Sequence, residues 1–293
     1  MAQVEVYLIR AFSVNEQGGN LAGVVLNADL LTESQKQSIA QQVGVSETAF
    51  VSKSERADFQ VSFYTPNLEV DFCGHATLGS FWLLHHLQLI PTGSYKQETK
   101  AGVLAVDIAL NGDVLMSQNL PTWFAEYSAQ EVAPMLGVQP SLITQTDLPI
   151  QAISTGLIDV MVPVPYGALD CLEIDSDAIT DFCQQHQYTG FHVFEMNSSE
   201  ASYTASCRNF APAVGIPEES ATGSSSGALA CYLHRHFGYQ QAIFEQGRAM
   251  RMASRLATQL TIKDEEIIRV QVGGEGAFYK IITIEVADNK NRT

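Results

Sequence analysis

The feature that most constrains this chain is a strand–turn–helix pattern that occurs twice, about half a chain apart. The first copy runs from an alternating strand over residues 58–65 (Phe59, Val61 and Phe63 against Gln60, Ser62 and Tyr64) into Asp71-Phe72-Cys73-Gly74-His75-Ala76-Thr77, and then into the apolar Phe81-Trp82-Leu83-Leu84. The second runs from Asn209-Phe210-Ala211-Pro212 into Ser220-Ala221-Thr222-Gly223-Ser224, with Cys231-Tyr232-Leu233 beyond. Phe63-Tyr64-Thr65-Pro66 precedes Cys73 by six residues, as Asn209 to Pro212 precedes Ser220 by seven; the two turns lie 220 − 73 = 147 residues apart in a chain of 293. Half-length spacing points to two copies of one domain. Each turn enters a helix start, where unpaired N–H groups and the positive end of the dipole suit a carboxylate or phosphate. Two such starts facing each other across a cleft would clamp one small anion.

The rest of the chain repeats one recipe. Met1 to Arg10 alternates as a first strand, and the glycine-rich turn at Gly18-Gly19 leads into a short apolar one, with no dinucleotide fingerprint. Thr32 and Gln35 form a capping box for a helix that Gly44 stops. Val45 to Val51 is an apolar strand interrupted by one acid, Glu47, whose burial would raise its pKa toward the range useful for proton transfer. A helix over residues 76–89, strands near 95–99, 103–110 and 113–119 and an Asn111-Gly112 hairpin complete the first half. Leu120-Pro121-Thr122 marks the boundary, giving halves at 1–121 and 122–293. The second half reads as helices near 129–136 and 177–186, strands near 150–155, 158–163, 191–196 and 202–210, a helix from the Ser220 turn to Phe237 stopped by Gly238, and strands near 242–246, 257–262, 266–272 and 278–286. The fold class is α+β: two similar domains, each a curved sheet or barrel around a central helix. The last strand is free to cross to the first half.

Charge and cysteine usage exclude several functions. A net charge of −16, without a Lys/Arg cluster, argues against nucleic acid, and leaves capture of an anion to local dipoles. Five scattered cysteines with no C-x-x-C argue against disulfides and zinc, and the spacing of His234 and His236 puts them on different helix faces, so no metal is expected. No apolar run is long enough to span a membrane and no signal peptide is visible, so the expected location is cytoplasmic.

Four segments in order carry a family resemblance over essentially the whole length: Gly19-Asn20-Leu21-Ala22-Gly23-Val24, Ser46-Glu47-Thr48-Ala49-Phe50-Val51, Asp71-Phe72-Cys73-Gly74-His75-Ala76-Thr77, and Ser220-Ala221-Thr222-Gly223-Ser224 with Gly227. The chain resembles the PhzF-like, phenazine-biosynthesis-like family of the diaminopimelate-epimerase-like fold. The resemblance implies a homodimeric isomerase, working without a cofactor, that moves a proton in a small carboxylic acid between the two halves. It implies Glu47, His75 and Glu219 as catalytic residues, and Ser46, Cys73, Gly74, Thr222, Gly223 and Ser224 around the substrate. Glu219 stands where the family commonly has Asp, Met252 where it often has Arg, and Leu21 where it has Pro. Related racemases use one cysteine per half; here Cys73 takes the first position and Ser220 the second, which disfavours a two-thiol mechanism because a hydroxyl is a far weaker acid. A non-catalytic anion-binding protein and a Cys73-dependent epimerase are the competing expectations.

Overall fold

The computed structural model describes residues 2–287; Met1 and residues 288–293, the outer ends of the two expected halves, lie outside them. The chain forms two compact units, one from the chain up to Met116 together with the segment from Gly273 onward, the other Ser117–Val272.

The first unit begins with β1 (Ala2–Ala11), β2 (Asn20–Val25), α1 (Glu33–Val43), β3 (Glu47–Ser52) and β4 (Phe59–Tyr64). It continues through β5 (Glu69–Val70), α2 (Gly74–His86), β6 (Gly93–Thr99), β7 (Gly102–Ile108) and β8 (Val114–Gln118), within which the chain passes to the second unit. There follow β9 (Thr122–Tyr127), the short α3 (Ala129–Val132) and α4 (Pro140–Ile143), β10 (Ile150–Ser154), β11 (Ile158–Val164) and α5 (Ser176–His186). β12 (Gly190–Met196), β13 (Ala205–Ala211), β14 (Ile216–Glu219), α6 (Gly223–Phe237), β15 (Gln241–Gln246), β16 (Ser254–Lys263) and β17 (Glu266–Gly274) follow, and β18 (Gly276–Val286) belongs to the first unit.

The strand pairings of the two units match. In the first, β18–β1 and β1–β2 are antiparallel, β2–β3 is parallel across α1, and β3–β4 is antiparallel. In the second, β9–β10 and β10–β11 are antiparallel, β11–β12 is parallel across α5, and β12–β13 is antiparallel. Then β4 pairs with β5 at one end and, in parallel, with β6 at the other, just as β13 pairs with β14 and β15. β18, from the far end of the sequence, pairs with β1 and so returns to the first unit, while β9, at the start of the second, pairs with β10.

Each sheet curls around one helix. α2 touches β18, β1, β2, β3 and β7, and α6 touches β10, β11, β15 and β16. Both are buried nearly all round, as a helix inside a curled sheet must be, whereas α1 buries little besides Ile39 and Ala40. The outer helices close separate cores, α1 against Val6, Val25 and Phe50, α5 against Val160, Phe191 and Phe210. Among the described residues no helix is long and apolar enough to cross a membrane.

Local signals behave as their chemistry requires. Thr32 and Gln35 make both halves of the capping box, and Gly44 (φ 70) and Gly238 (φ 78) end α1 and α6 in the left-handed region. α2 stops at His86, short of Leu89, because Gln88 turns left-handed (φ 58) and His85 Nδ1–H donates to Ile90 O at 3.0 Å. In the hairpin between β7 and β8 only Gly112 is left-handed (φ 87), and Asn111 instead uses its side chain to accept the Asp113 N–H. β9 had no strand signature: its Leu120-Pro121-Thr122 approach reads as a linker, and its pairing with β10 is a long-range choice.

Candidate active site

Strand β3 starts at Glu47 and helix α2 at Gly74, and these two starts bring the first group of expected residues together. β2 pairs in parallel with β3, Ala22 opposite Glu47, so Asn20 also arrives at this edge. His75, 8% exposed, is the hub. Its Nε2 lies 3.2 Å from Glu47 Oε2 and 3.3 Å from Ser46 Oγ; its Nδ1 lies 3.4 Å from both Cys73 Sγ and Asn20 Nδ2. A protonated ring carries N–H on both nitrogens, Nε2–H toward Ser46 Oγ beside the Glu47 carboxylate and Nδ1–H toward Cys73. In a neutral ring protonated at Nε2, Nδ1 accepts from the Asn20 amide.

The electrostatics differ from the expectation for Glu47. Burial does push its carboxyl up, but the close polar contact with His75 and the charge of that ring, helped by Ser46 and Cys73, outweigh it, and the pKa falls below the ordinary 4.5. For His75 burial favours the neutral ring, yet Cys73 and Glu47 together raise its pKa well above 6.5. The two form an ion pair near neutrality. Glu47 Oε2 is buried and, although 3.2 Å from His75 Nε2, accepts no aligned hydrogen bond, so its lone pair is available to a proton from elsewhere.

Cys73 is the N-cap of α2 and Thr222 of α6, and neither side chain caps its helix. By contrast Thr32, Ser128 and Asp175 cap α1, α3 and α5 by accepting first-turn N–H groups. The starts of α2 and α6 therefore keep donors to offer an anion. At Gly74 an added Cβ would meet nothing within 4 Å, so the glycine leaves open space over those donors.

The remaining expected residues form a second group, in the second unit. Thr222 Oγ1 donates to Glu219 Oε2 at 2.9 Å, Gly223 opens α6, and Ser224 O accepts from Thr155 Oγ1 at 2.9 Å. The structure corrects one equivalence. The helix starts Gly74 and Gly223 are 149 residues apart, not 147. The same offset relates His85, which holds Ile90 O, to His234, which holds Tyr239 O at 3.0 Å, and Gln97 opposite Phe59 to Gln246 opposite Cys207. Thr222, not Ser220, is thus the counterpart of Cys73. The discrepancy of two residues is the extra length of β14, four residues against two in β5. The second position still holds a hydroxyl.

Three donors, Glu47, Cys73 and His75, have ligand atoms within 4.8 Å of one another; their contacts with each other are those of an acid–base cluster. Two residues of these groups escaped the sequence reading. Asn20 lay inside a motif already singled out, and its amide beside a strand start was the available signal. Gln246 opens the Gln246-Gly247-Arg248-Ala249-Met250 run that resembles a family motif, but nothing in that run tied its side chain to the Thr222 turn.

Comparison with known proteins finds relatives along nearly the whole chain. The sequence profile of the phenazine biosynthesis-like protein family (PhzC-PhzF) matches residues 9–280. A trans-2,3-dihydro-3-hydroxyanthranilate isomerase from Pseudomonas chlororaphis is 32% identical over 289 residues, covering 93% of this chain and 96% of that protein. The crystal structure of a PhzF-family phenazine biosynthesis protein from Bacillus anthracis superposes with a TM-score of 0.87 at 28% identity, covering 98% of this chain and all of the other. A hydroxyproline epimerase from Agrobacterium vitis, at 10% identity and a TM-score of 0.61 over 97% of this chain and 91% of its own, shares the fold.

Proposed function

We propose, for a chain that belongs to the phenazine biosynthesis-like family and is an isomerase acting on a small molecule, that its reaction is a cofactor-independent proton transfer within a small carboxylate, with Glu47 as the base. The observation that carries this is the buried Glu47 Oε2, held ionised by His75 yet accepting no aligned hydrogen bond. Such an oxygen can take a proton from a carbon made acidic by neighbouring unsaturation and return it at another carbon, so that atoms and charge balance with no second reactant. His75 stabilises the carboxylate before the transfer. The imidazolium and the uncapped N–H groups of α2 stabilise the negative charge that develops on the substrate.

Glu219, Thr222, Gly223 and Ser224 are assigned to the same reaction on the resemblance of their motif, as a second acid and a second anion-accepting helix start. The substrate class that fits is a ring carrying a carboxylate and an amino group, like the compound named for the Pseudomonas relative. A two-thiol epimerase finds no support at Thr222, whose hydroxyl does not ionise near neutral pH. A homodimer in the cytoplasm completes the proposal.

The test is solvent-deuterium exchange on trans-2,3-dihydro-3-hydroxyanthranilate and related cyclic amino carboxylates, followed by NMR. Wild type should incorporate deuterium. Glu47→Gln should lose about 10²–10⁴-fold in rate while still binding. Exchange that survives Glu47→Gln but is abolished by Cys73→Ala would overturn the assignment in favour of the thiol.

A further inference from the structure

We infer that Gln246 is a positioning residue for the second group: it fixes the direction of the Thr222 hydroxyl and through it the orientation of the Glu219 carboxylate. For catalysis this rests on the proposed role of Glu219; as a statement about geometry it stands alone.

Gln246 ends β15 and is completely buried. Its side chain is spent on the turn ahead of α6. Nε2 donates to Glu219 O at 2.7 Å and to Thr222 Oγ1 at 3.0 Å, and Oε1 accepts the Thr222 N–H at 3.3 Å. A hydroxyl that accepts one hydrogen bond sends its own hydrogen elsewhere, and here it goes to Glu219 Oε2 at 2.9 Å. The amide has only one workable orientation. Flipped, it would set NH₂ against the Thr222 N–H and its oxygen against Glu219 O.

The loop behind the glutamine is built for the same approach. Gly247 is left-handed (φ 87), and a Cβ there would lie 2.6 Å from Met252 O and 2.8 Å from Ser220 O. The counterpart in the first unit is used differently. Gln97 is also fully buried, but its Nε2 donates to Thr77 Oγ1 at 3.1 Å, one turn into α2, and the N-cap Cys73 stays with His75. One position in the repeat thus serves helix packing in one unit and the polar turn in the other. Only an amide suits the latter, because it alone offers a donor and an acceptor at all pH values; an ionised Glu at 246 would draw the Thr222 hydrogen to itself and release Glu219.

The test uses the full chain with ¹³C-labelled Glu carboxyls, the Glu219 signal being assigned through Glu219→Gln. In Gln246→Met the Glu219 midpoint should rise, by about one pH unit, on loss of the donated hydrogen bond. Turnover in the exchange assay should fall about 10–100-fold with little change in KM, the pattern of a misplaced catalytic group. Gln246→Glu, close in shape and a safeguard should the Met variant not fold, should recover turnover as pH is lowered and residue 246 becomes protonated. Thr222→Val combined with Gln246→Met should lose no more than the worse single variant. An unmoved Glu219 midpoint in Gln246→Met, or effects of the two substitutions that multiply, would overturn the inference. A moved midpoint with unchanged turnover would support the positioning and instead overturn the catalytic role of Glu219.

Discussion

Asp159→Asn should gain stability relative to wild type as the pH rises, and the amount follows from what surrounds the carboxyl. Asp159 lies on β11 facing α6 and is 1% exposed. Its Oδ2 accepts from Ser225 Oγ at 2.5 Å, the Gly190 N–H donates to it, and Oδ1 is buried with no partner. In the first unit Val24 of β2 lies beside Gly79 of α2. Burial, only partly offset by those two hydrogen bonds, pushes the Asp159 pKa from 3.8 up to about 6. The folded state therefore prefers the protonated acid. The stability this contributes is fully present below the unfolded value and is lost as pH rises through the folded one. A rise from 3.8 to about 6 corresponds to about 3 kcal/mol, of which roughly half is lost between pH 5 and pH 8. Asn carries no charge and escapes this loss. Urea unfolding of wild type and Asp159→Asn at pH 5 and pH 8 should show the variant gaining on wild type by about 1–2 kcal/mol across the interval, with an unchanged m-value. A difference independent of pH would mean that Asp159 titrates alike in both states, and would refute the argument from burial.

Further predictions concern the first unit's ion pair and the close contacts of the sheet. With Glu47 depressed below 4.5 and His75 raised well above 6.5, the pair contributes stability that is lost as pH falls through the folded Glu47 value and as pH rises through the folded His75 value. The exchange rate should accordingly be flat over at least pH 5–6.5, and NMR should show the His75 ring titrating at lower pH in Glu47→Gln than in wild type; a ring that titrates unchanged would break the link. Gly190→Ala puts a Cβ 2.2 Å from Phe210 O, backbone against backbone across β12–β13, and should cost about 3 kcal/mol or more. Gly44→Ala meets nothing within 4 Å and suffers only its left-handed φ of 70, about 1 kcal/mol. Equal melting-temperature losses in these two variants would contradict that division.

What the sequence determined by itself is whatever depends on neighbours along the chain. The helix signals at Thr32, Gln35, Gly44 and Gly238, the alternation of β4 and the two small-residue turns into α2 and α6 are short-range chemistry, and they were legible together with the repeat that frames them. So were Glu47, Cys73 and His75 as candidates, since an acid in an apolar strand and a Gly-His turn at a helix start are local anomalies. Tertiary structure alone decided what these groups became. Glu47 is depressed and not raised because His75, 28 residues away, sits 3.2 Å from it. The counterpart of Cys73 is Thr222 because helix starts, not residue counts, are what superpose, and β14 is longer than β5. The return of β18 to β1, the pairing of β9 with β10, the buried Asp159 and the reach of Gln246 to Thr222 left no mark in any short window. The physical reason is common to all of them: charge states and hydrogen-bond partners inside a protein are set by groups far away in sequence and near in space, and their energies exist only once the sheet has closed around its helix.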